Sequence, residues 1–270
     1  MRLSTMVFVC LVSAMFCHAQ SSQLDSASAT ERKGEIDSAI LQYQEIIRVT
    51  PRNVAAHYNL GRLLAAKGDN DAAAKQYREA LTLQPNDADT HNNLAIVLKN
   101  QGQLDEAARE CQEAIKIDPQ HHEVHTTLGN VLFQKHDYKA AVAEYRTALK
   151  IDPDDGHTHM NLGSALDNEG DTDGAIREYK EAIRIEPTNA DAHYNLAISL
   201  AKKRDGTGAV TELREAEKLD PDWAVPHIQL TTLLMKADPK AALDECRIAE
   251  RLSHDTRISQ LCAGIAAHVK

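Results

Sequence analysis

Large aromatic side chains are almost missing from this chain: one Trp, three Phe and seven Tyr, 4% of 270 residues. Whatever core forms must be filled by Ala, Leu and Ile in close contact, which suits helices that meet through small residues. Cysteine is as scarce, at five, and Cys10 and Cys17 sit in the first nineteen residues. Cys111, Cys246 and Cys262 are too few for a disulfide scaffold. Apolar runs are short: Met6 to Phe16 spans about eleven residues, roughly half of what crosses a bilayer. There is no glycine loop of the phosphate-cradling kind, no His-Glu-x-x-His, no nucleophile elbow and no cysteine pair at redox spacing. No residue set nominates a reaction, so the expectation is a non-enzyme with no cofactor and no metal. Positive charge is also in deficit, with 30 Lys and Arg against 40 Asp and Glu, a net charge of −10. That balance repels phosphate backbones and anionic lipid and leaves a protein partner as the expected one, not nucleic acid.

What the chain has in abundance is order. Pro51, Pro85, Pro119, Pro153, Pro187 and Pro221 stand 34 residues apart without a slip. Between prolines the same pattern recurs. Leu60, Leu63 and Leu64 form a helical stripe, Gly68 permits a left-handed turn, and Asn70 or Asp71 is placed to cap a second helix. That second helix carries Ala73, Tyr77, Ala80 and Leu81 at spacings of three and four and is stopped by Pro85. Small residues recur where the two helices must cross, at Gly61 and Ala73, Ala95 and Ala107, Gly129 and Ala141, Gly163 and Ala175, Ala197 and Ala209. One hairpin cannot bury its apolar face alone, so neighbours must stack.

Aligned on the prolines, NVAAHYNLGRLLAAKGDNDAAAKQYREALTLQP (53–85), DADTHNNLAIVLKNQGQLDEAARECQEAIKIDP (87–119) and NADAHYNLAISLAKKRDGTGAVTELREAEKLDP (189–221) resemble the tetratricopeptide repeat. The resemblance implies an all-α, right-handed α-solenoid of about seven helical hairpins: 20–53, 54–87, 88–121, 122–155, 156–189, 190–223 and 224–254. In the last, one residue is missing from the turn near Asp238 and Pro239. Residues 255–270 are expected to form a capping helix with Ile258, Leu261, Cys262, Ile265 and Val269 on one face. Cys111 and Cys246 share the core position held elsewhere by Tyr43, Tyr77, Tyr145 and Tyr179, so buried thiols are the expectation there. Cys246 and Cys262 lie on successive helices joined by a short turn, close enough to meet if the compartment is oxidising.

Residues 1–19 read as an export signal: Arg2 supplies the positive start, Met6 to Phe16 the apolar stretch, and Cys17-His18-Ala19 a cleavage site. Cleavage would leave Gln20 first and, with Arg2 gone, change the net charge from −10 to −11. The expected location is the bacterial periplasm or the extracellular space, with no membrane span in the mature chain.

In the resembled family, peptides lie along the wall formed by the first helix of each hairpin. Its sixth position here gives Asn59, Asn93, Thr127, Asn161, Asn195 and Gln229, after Asp25 in the first hairpin. A row of amides can pair with the backbone of an extended peptide whatever its sequence. It resembles the asparagine ladder in the repeat domain of protein O-linked N-acetylglucosamine transferases. Tyr58, Met160 and Tyr194 at the fifth position and Arg62 at the ninth complete the expected peptide-binding set. No fifth position is basic, so the clamp that some relatives use for a C-terminal carboxylate is not expected. The implied function is a scaffold that binds an extended peptide or a helix of a protein partner. The other reading is an assembly subunit of an envelope complex that uses its convex face or ends.

The fourth position is His in six hairpins: His57, His91, His125, His159, His193 and His227. Successive hairpins stack on the order of 10 Å apart, too far for one ion with ligand bonds of about 2 Å. The family often carries a planar Trp there, and packing is the expected role of His. The cluster His121, His122, His125, His157 and His159 is the better metal candidate by spacing, but it lacks cysteine or carboxylate support.

Overall fold

The computed structural model describes residues 23–269, and all secondary structure among them is helical. The expected export signal, with Cys17, lies outside the described residues. Two compact units divide the chain, Met1–Lys135 and His136–Lys270.

In the first unit the helices are α1 (residues 23–32), α2 (Ile36–Val49), α3 (Val54–Ala66), α4 (Asn70–Leu83), α5 (Ala88–Asn100), α6 (Leu104–Ile117) and α7 (His122–Gln134). Helix α3 pairs with α4 and α5 with α6, and each pair packs on the next along the chain. Asn53 opens α3 by accepting a hydrogen bond from the Ala56 amide at 3.0 Å. Asp69 does the same for α4, accepting from Ala72 at 3.1 Å. The cap of α4 is therefore Asp69, not Asn70 or Asp71 as the residues around the turn suggest. Gly68 takes φ +81°, and the left-handed residue between its helices makes the hairpin one residue tighter than a count of polar positions implies. Beneath, Leu60, Leu63, Ala56, Tyr43 and Ile46 form one cluster. Tyr77, Leu94, Leu98, Cys111, Val124 and Val131 belong to a second. Gly61 is the point of closest approach: a Cβ there would lie 2.9 Å from a ring carbon of Tyr77.

In the second unit α8 (Tyr138–Ile151) precedes α9 (Gly156–Glu169) and α10 (Thr172–Ile185), α11 (Ala190–Lys202) and α12 (Gly206–Leu219), α13 (Ala224–Leu234) and α14 (Pro239–Ser253), and α15 (Thr256–His268). Asp137, Asp155, Asp171, Asn189, Asp205 and Asp238 each accept from a backbone amide three residues on and open a helix. Asp155 is thus a cap, while its neighbour Asp154 pairs with Arg184. The last hairpin is irregular in a different way from the expected shortened turn: α13 has eleven residues where its counterparts have thirteen or fourteen, and residues 235–238 separate it from α14.

Helix α15 buries Ile258, Cys262 and Ile265 against Leu243, Cys246 and Ala249 of α14, with Leu261 and Val269 half-covered beside them. Cys246 and Cys262 form a disulfide. Of the two cysteines expected as buried thiols, Cys111 is one and Cys246 is not. A thiol on the inner face of α14 meets the one on the inner face of α15 because the single turn between them, His254 and Asp255, folds the helices back directly.

Candidate functional site

Tyr58 and Asn59 sit on α3, Asn93 on α5 and Thr127 on α7, one period apart. The Asn93 amide donates to the Tyr58 hydroxyl at 3.1 Å, so the fifth position of one hairpin is tied to the sixth position of the next. Tyr58 leans on Tyr77, ring centroids 6.1 Å apart. Arg62, one turn along α3, pairs with Glu31 of α1, which holds its guanidinium above the usual range. Arg62 is therefore engaged within the unit. Thr127 is only 5% exposed and offers little surface, whereas Tyr58, Asn59 and Asn93 are half-buried. Asn92, beside Asn93, is buried with its carbonyl oxygen unpartnered.

In the second unit Met160 and Asn161 lie on α9, Tyr194 and Asn195 on α11 and Gln229 on α13, all half-buried. Burial raises the pKa of the Tyr194 phenol above its usual value, and Gln229, on the next hairpin, works the other way. Trp223 packs at a tilt against Tyr194 with centroids 4.9 Å apart. The single tryptophan of the chain opens α13 at the position where Asn53, Asp87, His121, Asp155 and Asn189 open the earlier first helices, so the period gives its place but not its contact with Tyr194. At the twelfth position of α9, Asp167 gathers Ser199 at 3.1 Å, Lys202 at 2.6 Å and Thr172 at 3.0 Å.

The histidine row proves to be interior bracing. Nε2 of His57, His91, His125, His159 and His193 faces the carbonyl of the proline six residues earlier. Nδ1 of His91, His159 and His193 faces Glu110, Glu178 and Glu212 on the second helix, and that of His57 faces Gln76. The signal was in the sequence: each of these partners follows its histidine by 19 residues. His121, named above for its spacing, pairs with Asp89 and Glu123.

One group has ligand-like spacing: Glu217, His227 and Glu245, from α12, α13 and α14, with donor atoms all within 4.8 Å. Two carboxylates and an imidazole are a plausible donor set for a divalent ion. Arg214 changes the balance. Its guanidinium donates to Glu217 at 2.9 Å and also to Glu245, while His227 Nδ1 lies 2.7 Å from Glu245. Burial alone would raise the Glu245 carboxyl, but these hydrogen bonds hold it below the usual range. A cation already occupies the charge role, and the cluster reads as a buried ion network joining three helices.

The family model described as the cilia and flagella-associated protein 70 C-terminal domain, a tetratricopeptide-repeat model, matches residues 13–229. The chain belongs to this tetratricopeptide-repeat family. The match ends within α13, so the ion network and the disulfide-closed end lie at or beyond its margin.

Solved tetratricopeptide-repeat structures are similar in fold. YrrB, described as a tetratricopeptide-repeat protein with an unusual peptide-binding site, is 23% identical over 68% of this chain and 95% of its own, with a TM-score of 0.54. The PilF protein of Pseudomonas aeruginosa is 18% identical over 80% of this chain and 97% of its own, TM-score 0.69. A tetratricopeptide-repeat protein of Parabacteroides merdae is 16% identical over 91% and 98%, TM-score 0.69. Among proteins of curated function, none matches this chain.

Proposed function

We propose that this tetratricopeptide-repeat protein is a non-catalytic, exported scaffold that holds an extended segment of a partner protein along the first helices of its hairpins. The observation that carries the reading is the amide-to-tyrosine tie between neighbouring hairpins, Asn93 with Tyr58. It holds a half-buried amide in line, so that little side-chain entropy is lost when a peptide backbone pairs with it. Tyr58, Met160 and Tyr194 would anchor side chains, with Asn59, Asn161 and Asn195 supplying the backbone contacts. The fold shared with YrrB makes a peptide ligand reasonable without identifying it.

Export is supported by the Cys246–Cys262 disulfide, which persists in an oxidising compartment. Mass spectrometry of the native protein should find Gln20 at the amino terminus.

The groove is tested by replacing Asn93, Asn161 and Asn195 with Ala and recovering partners from the exported protein pool. Loss of a partner that the parent chain captures supports the reading, and unchanged recovery rejects it. The second reading, an assembly subunit that uses its ends, is favoured by an apolar cavity of about 510 Å³ lined by Met235, Pro239, Leu261 and Ile265 among others. Retention of the partner by the triple variant together with its loss in Leu261→Glu would favour that reading.

A further inference from the structure

A carbonyl oxygen and a carboxylate oxygen have one property in common: neither carries a proton to donate. His91 stands between two such groups, with Nε2 3.0 Å from the Pro85 carbonyl and Nδ1 2.6 Å from Glu110. His159 stands the same way, 3.1 Å from the Pro153 carbonyl and 2.8 Å from Glu178. A neutral imidazole has a single N–H and can satisfy only one side, leaving the opposite nitrogen lone pair facing an acceptor. The imidazolium donates to both.

We propose that His91 and His159 are proton-held latches, each joining the proline turn, the first helix and the second helix of its hairpin, so that these hairpins loosen as pH rises through the neutral range. His57 shows what the latch is not. Its partner is Gln76, whose amide can turn to offer either a donor or an acceptor, so a neutral ring keeps both bonds. His193 has neighbours of the same kind, Glu212 at 2.7 Å and the Pro187 carbonyl at the longer distance of 3.3 Å.

The surroundings point the same way. Hydrogen bonding by Glu110 lifts the pKa of His91 above the free value. Burial opposes this, while the Pro85 carbonyl and the charges of Glu110 and Glu113 add to it. For His159 the same order holds with Glu178, the Pro153 carbonyl and Glu181. The nearby cations are engaged elsewhere, Lys116 by Glu113 and Arg184 by Glu181 and Asp154. Both rings are 13% exposed by side chain, enough to exchange protons with solvent and buried enough for the contact to matter.

The sign follows from linkage. Below the free imidazole value of about 6.5 the ring is protonated folded or unfolded, and the latch contributes fully. Between that value and the raised folded value the unfolded chain gives up its proton first, and the contribution declines. Above the folded value it is gone. None of this depends on the groove or its partner.

The test uses the full mature chain. Ring resonances of His91 and His159, followed by heteronuclear NMR through a pH titration, should titrate above the free imidazole value. The urea midpoint should fall as pH rises above the free imidazole value of about 6.5, and that fall should be lost in the E110Q/E178Q variant. Titration at or below the free value, or an unchanged pH slope in the variant, overturns the proposal. Should the variant fail to fold, the ring titration of the parent chain decides alone.

Discussion

At the scale of single residues, two opposing effects can be weighed at Gly163. A helix interior prefers Ala to Gly by about 1 kcal/mol, so Gly163→Ala would stabilise an open site. Here the added Cβ would lie 2.7 Å from a ring carbon of Tyr179. That ring is 3% exposed and its hydroxyl is bonded to Ser164 at 3.1 Å, so it has little room to yield. Overpacking of this kind costs roughly 1–3 kcal/mol, and the steric effect wins. Urea unfolding should show Gly163→Ala destabilised, by up to about 2 kcal/mol net of the propensity gain. The opposite sign is expected at Arg204. It has φ +66°, at the position where Gly34, Gly68, Gly102 and Gly170 make the same turn. Arg204→Gly removes a left-handed strain of roughly 1–2 kcal/mol against a glycine entropy cost of about 0.5–1. A gain in the unfolding midpoint is the expected result, and a loss would show that the arginine side chain supplies more than its backbone costs.

At the scale of helices, the hairpins, their caps and the small residues at their crossings were legible because each is repeated at a fixed interval. Six copies of one pattern average out local noise. The features that were not legible are those that break the interval or need two helices at once. Trp223 meets Tyr194 only once α12 has run back along α11. The Arg214, Glu217, His227 and Glu245 network joins side chains from three helices, and its histidine-to-glutamate spacing is 18, where the other hairpins have 19. For the amide row the positions follow from the period but their exposure does not, and exposure separates Thr127 from Asn93. The disulfide was one of two open states of Cys246, decided by how tightly α15 folds onto α14. It closes a loop of 16 residues, which in chain-entropy terms is worth about 3 kcal/mol. Reduction, or Cys262→Ala, should therefore lower the stability of the C-terminal end by up to about 3 kcal/mol and speed amide exchange in α15 before α9 to α12 respond. Equal protection of α15 in the oxidised and reduced protein would mean that Ile258 and Ile265 hold it without help.

At the scale of the whole chain, helix contacts inside each unit run mainly between sequence neighbours, and contacts beyond the next helix are few. Stability in such an arrangement is close to a sum of hairpin energies and neighbour interfaces. Removal of one full period should then subtract one hairpin and one interface while rejoining equivalent faces. Residues 88–121 are the best choice, because the cut joins Asp87 to His122 and keeps the period of every later position. The interface that must reform is α4 against α7 in place of α4 against α5. Both α5 and α7 present a branched or aliphatic stripe at the same positions, Leu94 and Val97 in one, Leu128 and Val131 in the other. The shortened chain should keep its helical signal per residue in circular dichroism. Its urea m-value should fall by about one part in seven, in proportion to the surface no longer exposed on unfolding. Loss of the helical signal throughout would contradict the additive picture, since it would require a long-range contact on which all the hairpins depend.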